Sequence, residues 1–164
     1  MNLEAQCESA FMRVFVVSAM LLVASCSSVQ LSSKDEILIA ESVLRSLYGE
    51  NASADQSKKV AASLCINGKD PSPEFLAKFQ DLRPIAFPCS ASKYNHQLDE
   101  LVQRGTNKAM ISFSVSDIKL ISATSATATG GYYEASLSSA GYSFELSKVD
   151  GNWVVQKRSM DWIS

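Results

Sequence analysis

The chain has one histidine in 164 residues, His96, alongside two tryptophans and four prolines. A single imidazole cannot build a histidine-ligated metal centre. His96 also stands in a polar run (Ser90, Ser92, Asn95, His96, Gln97) with no motif around it, so it reads as an exposed loop residue. Gly-x-Ser-x-Gly, a glycine-rich phosphate loop and His-Glu-x-x-His are all missing, and neither a cofactor nor a metal is expected. Charge of either sign is not in excess: 15 Lys and Arg stand against 17 Asp and Glu, for a net charge of −2. That balance excludes the basic stripe of a nucleic-acid binder and the polybasic patch that draws a protein to anionic lipid. Nowhere is there the run of roughly 20 apolar residues that spans a bilayer.

A shorter apolar run does occur. Arg13 precedes Val14–Leu22, and Val23-Ala24-Ser25 supplies the small residues that a signal peptidase needs near its cut. Residues 1–25 are therefore expected to be a signal peptide. Met1–Phe11 carries Glu4 and Glu8 and no base, which does not suit the start of a signal, so translation is expected to begin at Met12. Val23-Ala24-Ser25-Cys26 resembles the lipobox of bacterial lipoproteins. The resemblance implies acylation of the Cys26 thiol, which becomes the new N-terminus and ties the chain to a membrane. With Ser27 following, sorting in that family implies the outer membrane, the protein facing the periplasm.

Removing residues 1–25 leaves one domain's worth of chain close to neutrality. Residues 26–33 read as a lipidated tether and residues 34–164 as a single domain. Cys65 and Cys89 remain as an even pair in an oxidising compartment and are expected to form a disulfide, the alternative being two buried thiols.

Helical spacing begins after the tether. Ser33 can cap, Asp35 and Glu36 suit the positive end, and Ile37, Ala40, Leu44, Leu47 and Tyr48 form an apolar stripe ending at Gly49; Glu41 and Arg45 lie four apart as a solvated pair. A second helix is expected over about Ala54–Cys65, closed by Asn67-Gly68. Ser72-Pro73-Glu74 opens a third, short one with Phe75, Leu76 and Phe79 inward. Between Arg83 and Lys108 the pattern dissolves into an irregular segment, with a helical turn at Leu98–Gln103. From Met110 the period becomes two. Ile111, Phe113 and Val115 alternate with serines, and a parity slip at Ser116-Asp117 marks a β-bulge. Ala126–Leu137 is a second strand with a slip expected at Gly130-Gly131, and Gly141–Val149 a third. Asp150-Gly151 is a hairpin turn setting Lys148 opposite Trp153 and Leu146 opposite Val155.

The expectation is an α+β fold in which N-terminal helices pack on a curved antiparallel sheet of about four strands. This order resembles the cone of the cystatin-like superfamily, which includes nuclear transport factor two and ketosteroid isomerase. Asp70–Phe79, Gly130-Gly131-Tyr132-Tyr133, Gly141-Tyr142 and Asp150–Val155 are similar to a family of uncharacterised small bacterial secreted proteins. That resemblance implies a shared fold and brings no activity with it. Where that family often carries two cysteines after its Gly-Gly-Tyr-Tyr, this chain has Glu134 and Ser138.

Two functions are open to such a domain. Tyr132, Tyr133, Tyr142 and Trp153, with Trp162, can line a pocket for a small ligand or an envelope protein, or can simply cover the core. An isomerase or dehydratase would instead need Asp117 or Glu134 beside a tyrosine in a dry hollow. The expected role is the first: a lipid-anchored envelope protein that binds without catalysis.

Overall fold

The computed structural model describes residues 33–50 and 61–164. The expected signal peptide, Cys26, the expected tether before Ser33 and the first part of the expected second helix lie outside the described residues, as does the side chain of Ser33.

The element order is α1 (Ser33–Glu50), β1 (Ala61–Ile66), α2 (Pro73–Ala77), β2 (Ile85–Pro88), a 3-10 turn (Cys89–Ala91), β3 (Ser92–Asn95), β4 (Glu100–Gln103), β5 (Met110–Ser122), β6 (Ser125–Ala135), β7 (Ser138–Val149) and β8 (Asn152–Ile163). All eight strands join one mixed sheet, in which β1 runs parallel to both β2 and β5 while the remaining pairs are antiparallel. This corrects the expected fold class. In place of several helices on a four-stranded antiparallel cone there are, among the described residues, two helices and twice the number of strands.

Two misreadings account for the difference. The expected second helix gives way, over Ala61–Ile66, to the strand β1. Ala61 to Cys65 are all buried, because β1 lies between two parallel partners and has cover on both faces. Such a strand shows no alternation and cannot be told from a buried helix by periodicity. The irregular segment 83–108 contains β2, β3 and β4, each of four residues, and the turn expected at Leu98–Gln103 is instead the strand β4.

The long strands follow the sequence more closely. β5, β6, β7 and β8 form an antiparallel meander. The pairing of β5 with β6 shifts between Ser116 and Lys119, and Asp117 there takes a positive φ of 50°. Asp tolerates that left-handed conformation better than most residues, which suits it to a bulge. At Gly130-Gly131 the expected slip is not found: pairing is continuous from Ser125 to Tyr133 and shifts only between Tyr133 and Ala135. Asp150 and Gly151, with φ of 50° and 81°, turn β7 into β8, and Lys148 faces Trp153 while Leu146 faces Val155. In α2 the Ser72 side chain accepts from the Phe75 amide at 3.2 Å, with Pro73 opening the helix.

The main core lies between α1 and one face of the sheet. Ile39, Val43, Leu44 and Leu47 meet Leu64, Phe113, Val115, Ala128 and Phe144 there, all buried. Gly130 lets the helix come this close: a Cβ on it would sit 2.7 Å from the Ser114 carbonyl oxygen and 3.2 Å from Val43 Cγ1. The other face of β1, β5 and β6 carries a smaller cluster of Ala61, Leu101 and Met110, with Phe87 and Tyr133 against it.

Candidate functional site

An open groove of about 380 Å³ lies between α1 and β8. Leu38, Glu41, Ser42 and Arg45 line it from the helix, and Asn152, Trp153 and Val154 from the strand. The helix wall follows from spacing, since residues 38, 41, 42 and 45 fall on one side of an α-helix. That side is turned away from the Ala40–Leu44–Leu47 stripe read as the core face. The strand wall follows from the Asp150-Gly151 turn, which sends β8 back alongside α1. Among the described strands β8 pairs with β7 alone, so it is an edge of the sheet.

Charge is held firmly at the two ends of this groove. Near the start of α1, Asp35 Oδ1 accepts from Lys148 Nζ and from Trp153 Nε1, both at 2.9 Å, which fixes the indole against the helix. Further along, Glu41 takes Arg45 Nε at 3.2 Å and Lys78 Nζ at 2.6 Å. Arg45 reaches Asp81 at 3.5 Å, donates to the Lys78 carbonyl at 2.5 Å, and lies over the Phe79 ring. Burial alone pushes the Glu41 carboxyl up, but the hydrogen bonds and charges of Lys78 and Arg45 outweigh it and hold the group below its usual value. The pair read from sequence as simply solvated is thus part of a network joining α1 to the segment after α2.

The four aromatic candidates do not share one surface. Trp153 is buried, with one side on the groove. Tyr142 is also buried, ring-on to Phe144 and with the Arg158 guanidinium 4.4 Å above its centroid. Tyr132 is half-buried on the helix side; burial, then the charges of Tyr142 and Glu134, raise its hydroxyl above the usual value. Tyr133 points to the opposite face, joins the smaller cluster and lies near Tyr94. Trp162 packs its indole over Gly141, where any Cβ would collide with it.

The two carboxylates considered for acid–base chemistry are far apart. Asp117 is exposed at the bulge and accepts from Thr129 Oγ1 at 2.9 Å. Glu134 is buried; one of its oxygens accepts from Ser138 at 3.0 Å and the other has no partner. Thr129 and Glu134 stand five positions apart on β6, about 16 Å of strand, so the two carboxylates cannot act on one substrate atom. Asp117 instead borders a second, shallow hollow of about 280 Å³ on the outer face with Lys119, Thr127, Ser143 and Glu145.

Cys65 and Cys89 are joined by a disulfide, with S–S 1.99 Å. Asp70, in the Asp-Pro-Ser-Pro stretch, braces the same place: its carboxylate accepts from both the amide and the hydroxyl of Ser90 at 2.7 Å, and these bonds lower its pKa. His96 is exposed in the β3–β4 turn, edge-on to Tyr94 at 4.8 Å. Tyr94 and Ser136 both donate to Asp99, which ties that turn to the β6–β7 turn. Among the described residues no cluster of three or more His, Cys, Asp or Glu is placed to hold a metal, and no helix is long and apolar enough to cross a membrane.

Sequence reasoning found Trp153 and missed its neighbours Leu38, Ser42 and Val154. The helix has a second, partly buried stripe at 38, 42 and 45, and that was the signal available. No family model matches the chain, and no curated protein and no solved structure matches it either.

Proposed function

We propose that this chain is a lipid-anchored protein of the bacterial cell envelope, held through Cys26 and facing the periplasm, most naturally at the outer membrane. Its folded part is a binding module that takes an extended segment of another envelope protein along β8, without turning it over. The observation that carries the reading is a strand edge that pairs with no further described strand, with a groove beside it. An edge strand offers a row of backbone donors and acceptors to an added strand, and the neighbouring groove can select its side chains. Leu38, Trp153 and Val154 suit an apolar side chain, while Glu41, Ser42, Arg45 and Asn152 suit polar ones. Exposed Met160, Trp162 and Ile163 continue the apolar character of β8 towards its end. The disulfide supports an oxidising compartment, and the lipobox supports the anchor.

The test is a photo-crosslinking residue at Val154, with Lys119 on the outer face as control, in cells producing the full chain. A covalent adduct to one envelope protein from position 154 and none from position 119 is expected. Equal adducts from both positions, none from either, or an adduct to a second copy of this chain alone would overturn the reading.

A further inference from the structure

The two ends of the sheet are not equivalent with respect to the tether. At one end three pieces of chain meet: the first turn of α1, the turn between β5 and β6, and the turn between β7 and β8. Lys148 Nζ and Trp153 Nε1 both bond Asp35, and the Lys148 amide bonds the Thr124 carbonyl at 2.9 Å. Large apolar side chains are left exposed next to each of these pieces: Ile37 (45%) on α1, Ile121 (62%) near the end of β5 and Val149 (47%) at the end of β7. Charge at this end is mixed, with Lys34, Lys119 and Lys148 against Asp35, Glu36, Asp117 and Asp150.

We infer that this end is a membrane-contact surface, seated on the bilayer that holds the lipid of Cys26 through Ile37, Ile121 and Val149. The inference rests on the proposed anchor and goes beyond it. Cys26 lies seven residues before Ser33, a stretch that spans at most about 25 Å. The twelve residues of β7 run about 40 Å to the opposite end of the sheet, so the end where α1 begins is the one the tether keeps near the membrane. Apolar side chains inserted at the headgroup boundary add to the hold of a lipid anchor and fix the orientation of the domain on the bilayer. With three lysines against four carboxylates there is no excess of positive charge, so the contact is apolar, requires no anionic lipid and resists salt.

The experiment uses the full protein extracted from envelopes in mild detergent, its Cys26 lipid established by intact mass, and reconstituted in pure phosphatidylcholine vesicles. Spin labels are placed singly through Ile121→Cys, Val149→Cys and, at the opposite end, Leu137→Cys. Labels at 121 and 149 are expected to be more accessible to oxygen than to a water-soluble nickel complex, in low and high salt alike, with the ratio reversed at 137. Lipidated protein whose labels at 121 and 149 are as aqueous as that at 137 overturns the contact surface and leaves the anchor standing. An intact mass without lipid overturns the anchor itself, and the inference with it. A contact seen only after anionic lipid is added, and lost in salt, overturns its apolar character.

Discussion

The two faces of β5 are stabilised by different means. On one, Ile111, Phe113 and Val115 enter a broad core roofed by α1, in which every large side chain has apolar neighbours. On the other, among the described residues Met110 joins a cluster with Ala61 and Leu101 as its buried companions, and Ser112 and Ser114 separate it from the polar outer face. A cluster that small buries too little apolar surface to offset the ordering of the short strands β2, β3 and β4. The covalent and polar ties gather there: the Cys65–Cys89 disulfide, and Asp70 on Ser90 beside it. Hydrophobic burial holds one face, and a staple holds the other.

The largest effect is expected on the first face. Phe113 is fully buried and its ring lies 4.5 Å from that of Tyr48. Phe113→Ala should cost about 3–5 kcal/mol, a large part of a domain's stability, and should lower the urea midpoint for every probe together. Chemical denaturation followed by far-ultraviolet dichroism and by tryptophan fluorescence checks this. Transitions that separate would mean that α1 and the sheet do not form one cooperative unit.

A smaller and more local effect is expected on the second face. The disulfide closes a loop of 24 residues, for which chain entropy gives about 3 kcal/mol. In the Cys65→Ala, Cys89→Ala double variant, amides of β2, β3 and β4 should exchange with solvent much faster while those of β6 and β7 keep most of their protection. Uniform loss across all strands would erase the distinction between the faces.

The same contrast explains what could be read in the sequence. Ile111, Phe113 and Val115 alternate because one face of β5 is wet and the other dry over that length, so the strand announces itself. The Asp150-Gly151 turn is local chemistry, and its register could be written down from the residues alone. β1 has no such signature, since Ala61 to Cys65 are covered on both sides. β2 to β4 are short and owe their place to a disulfide and to partners distant in the chain, neither of which leaves a periodic trace. The groove was half legible: Trp153 stood out as an aromatic, but Leu38 and Ser42 acquire meaning only once β8 lies beside α1. The tyrosines of Gly-Gly-Tyr-Tyr suggested one shared surface, yet adjacent strand residues point to opposite faces, and Tyr132 and Tyr133 are therefore divided between the two cores.

The smallest effect concerns the polar link between the two regions. Glu41 on α1 pairs with Lys78 and Arg45, and through them reaches Asp81 and the segment leading into β2. Burial is outweighed by the hydrogen bonds and charges of Lys78 and Arg45, which hold the Glu41 carboxyl below its usual value. A depressed folded-state pKa means that the unfolded chain binds the proton more readily, so the contribution is fully present above the unfolded value and is lost as pH falls through the folded one. All three side chains are partly exposed and screened by water, which limits the contribution to about 1 kcal/mol or less. Glu41→Gln should therefore lower the urea midpoint slightly at about pH 7, and the deficit should shrink as pH falls through the depressed folded-state value and the parent's Glu41 takes up its proton. A deficit that persisted unchanged into acid would assign the role of Glu41 to packing against Arg45 and Lys78, and the link between the two regions would then be steric, with no electrostatic part.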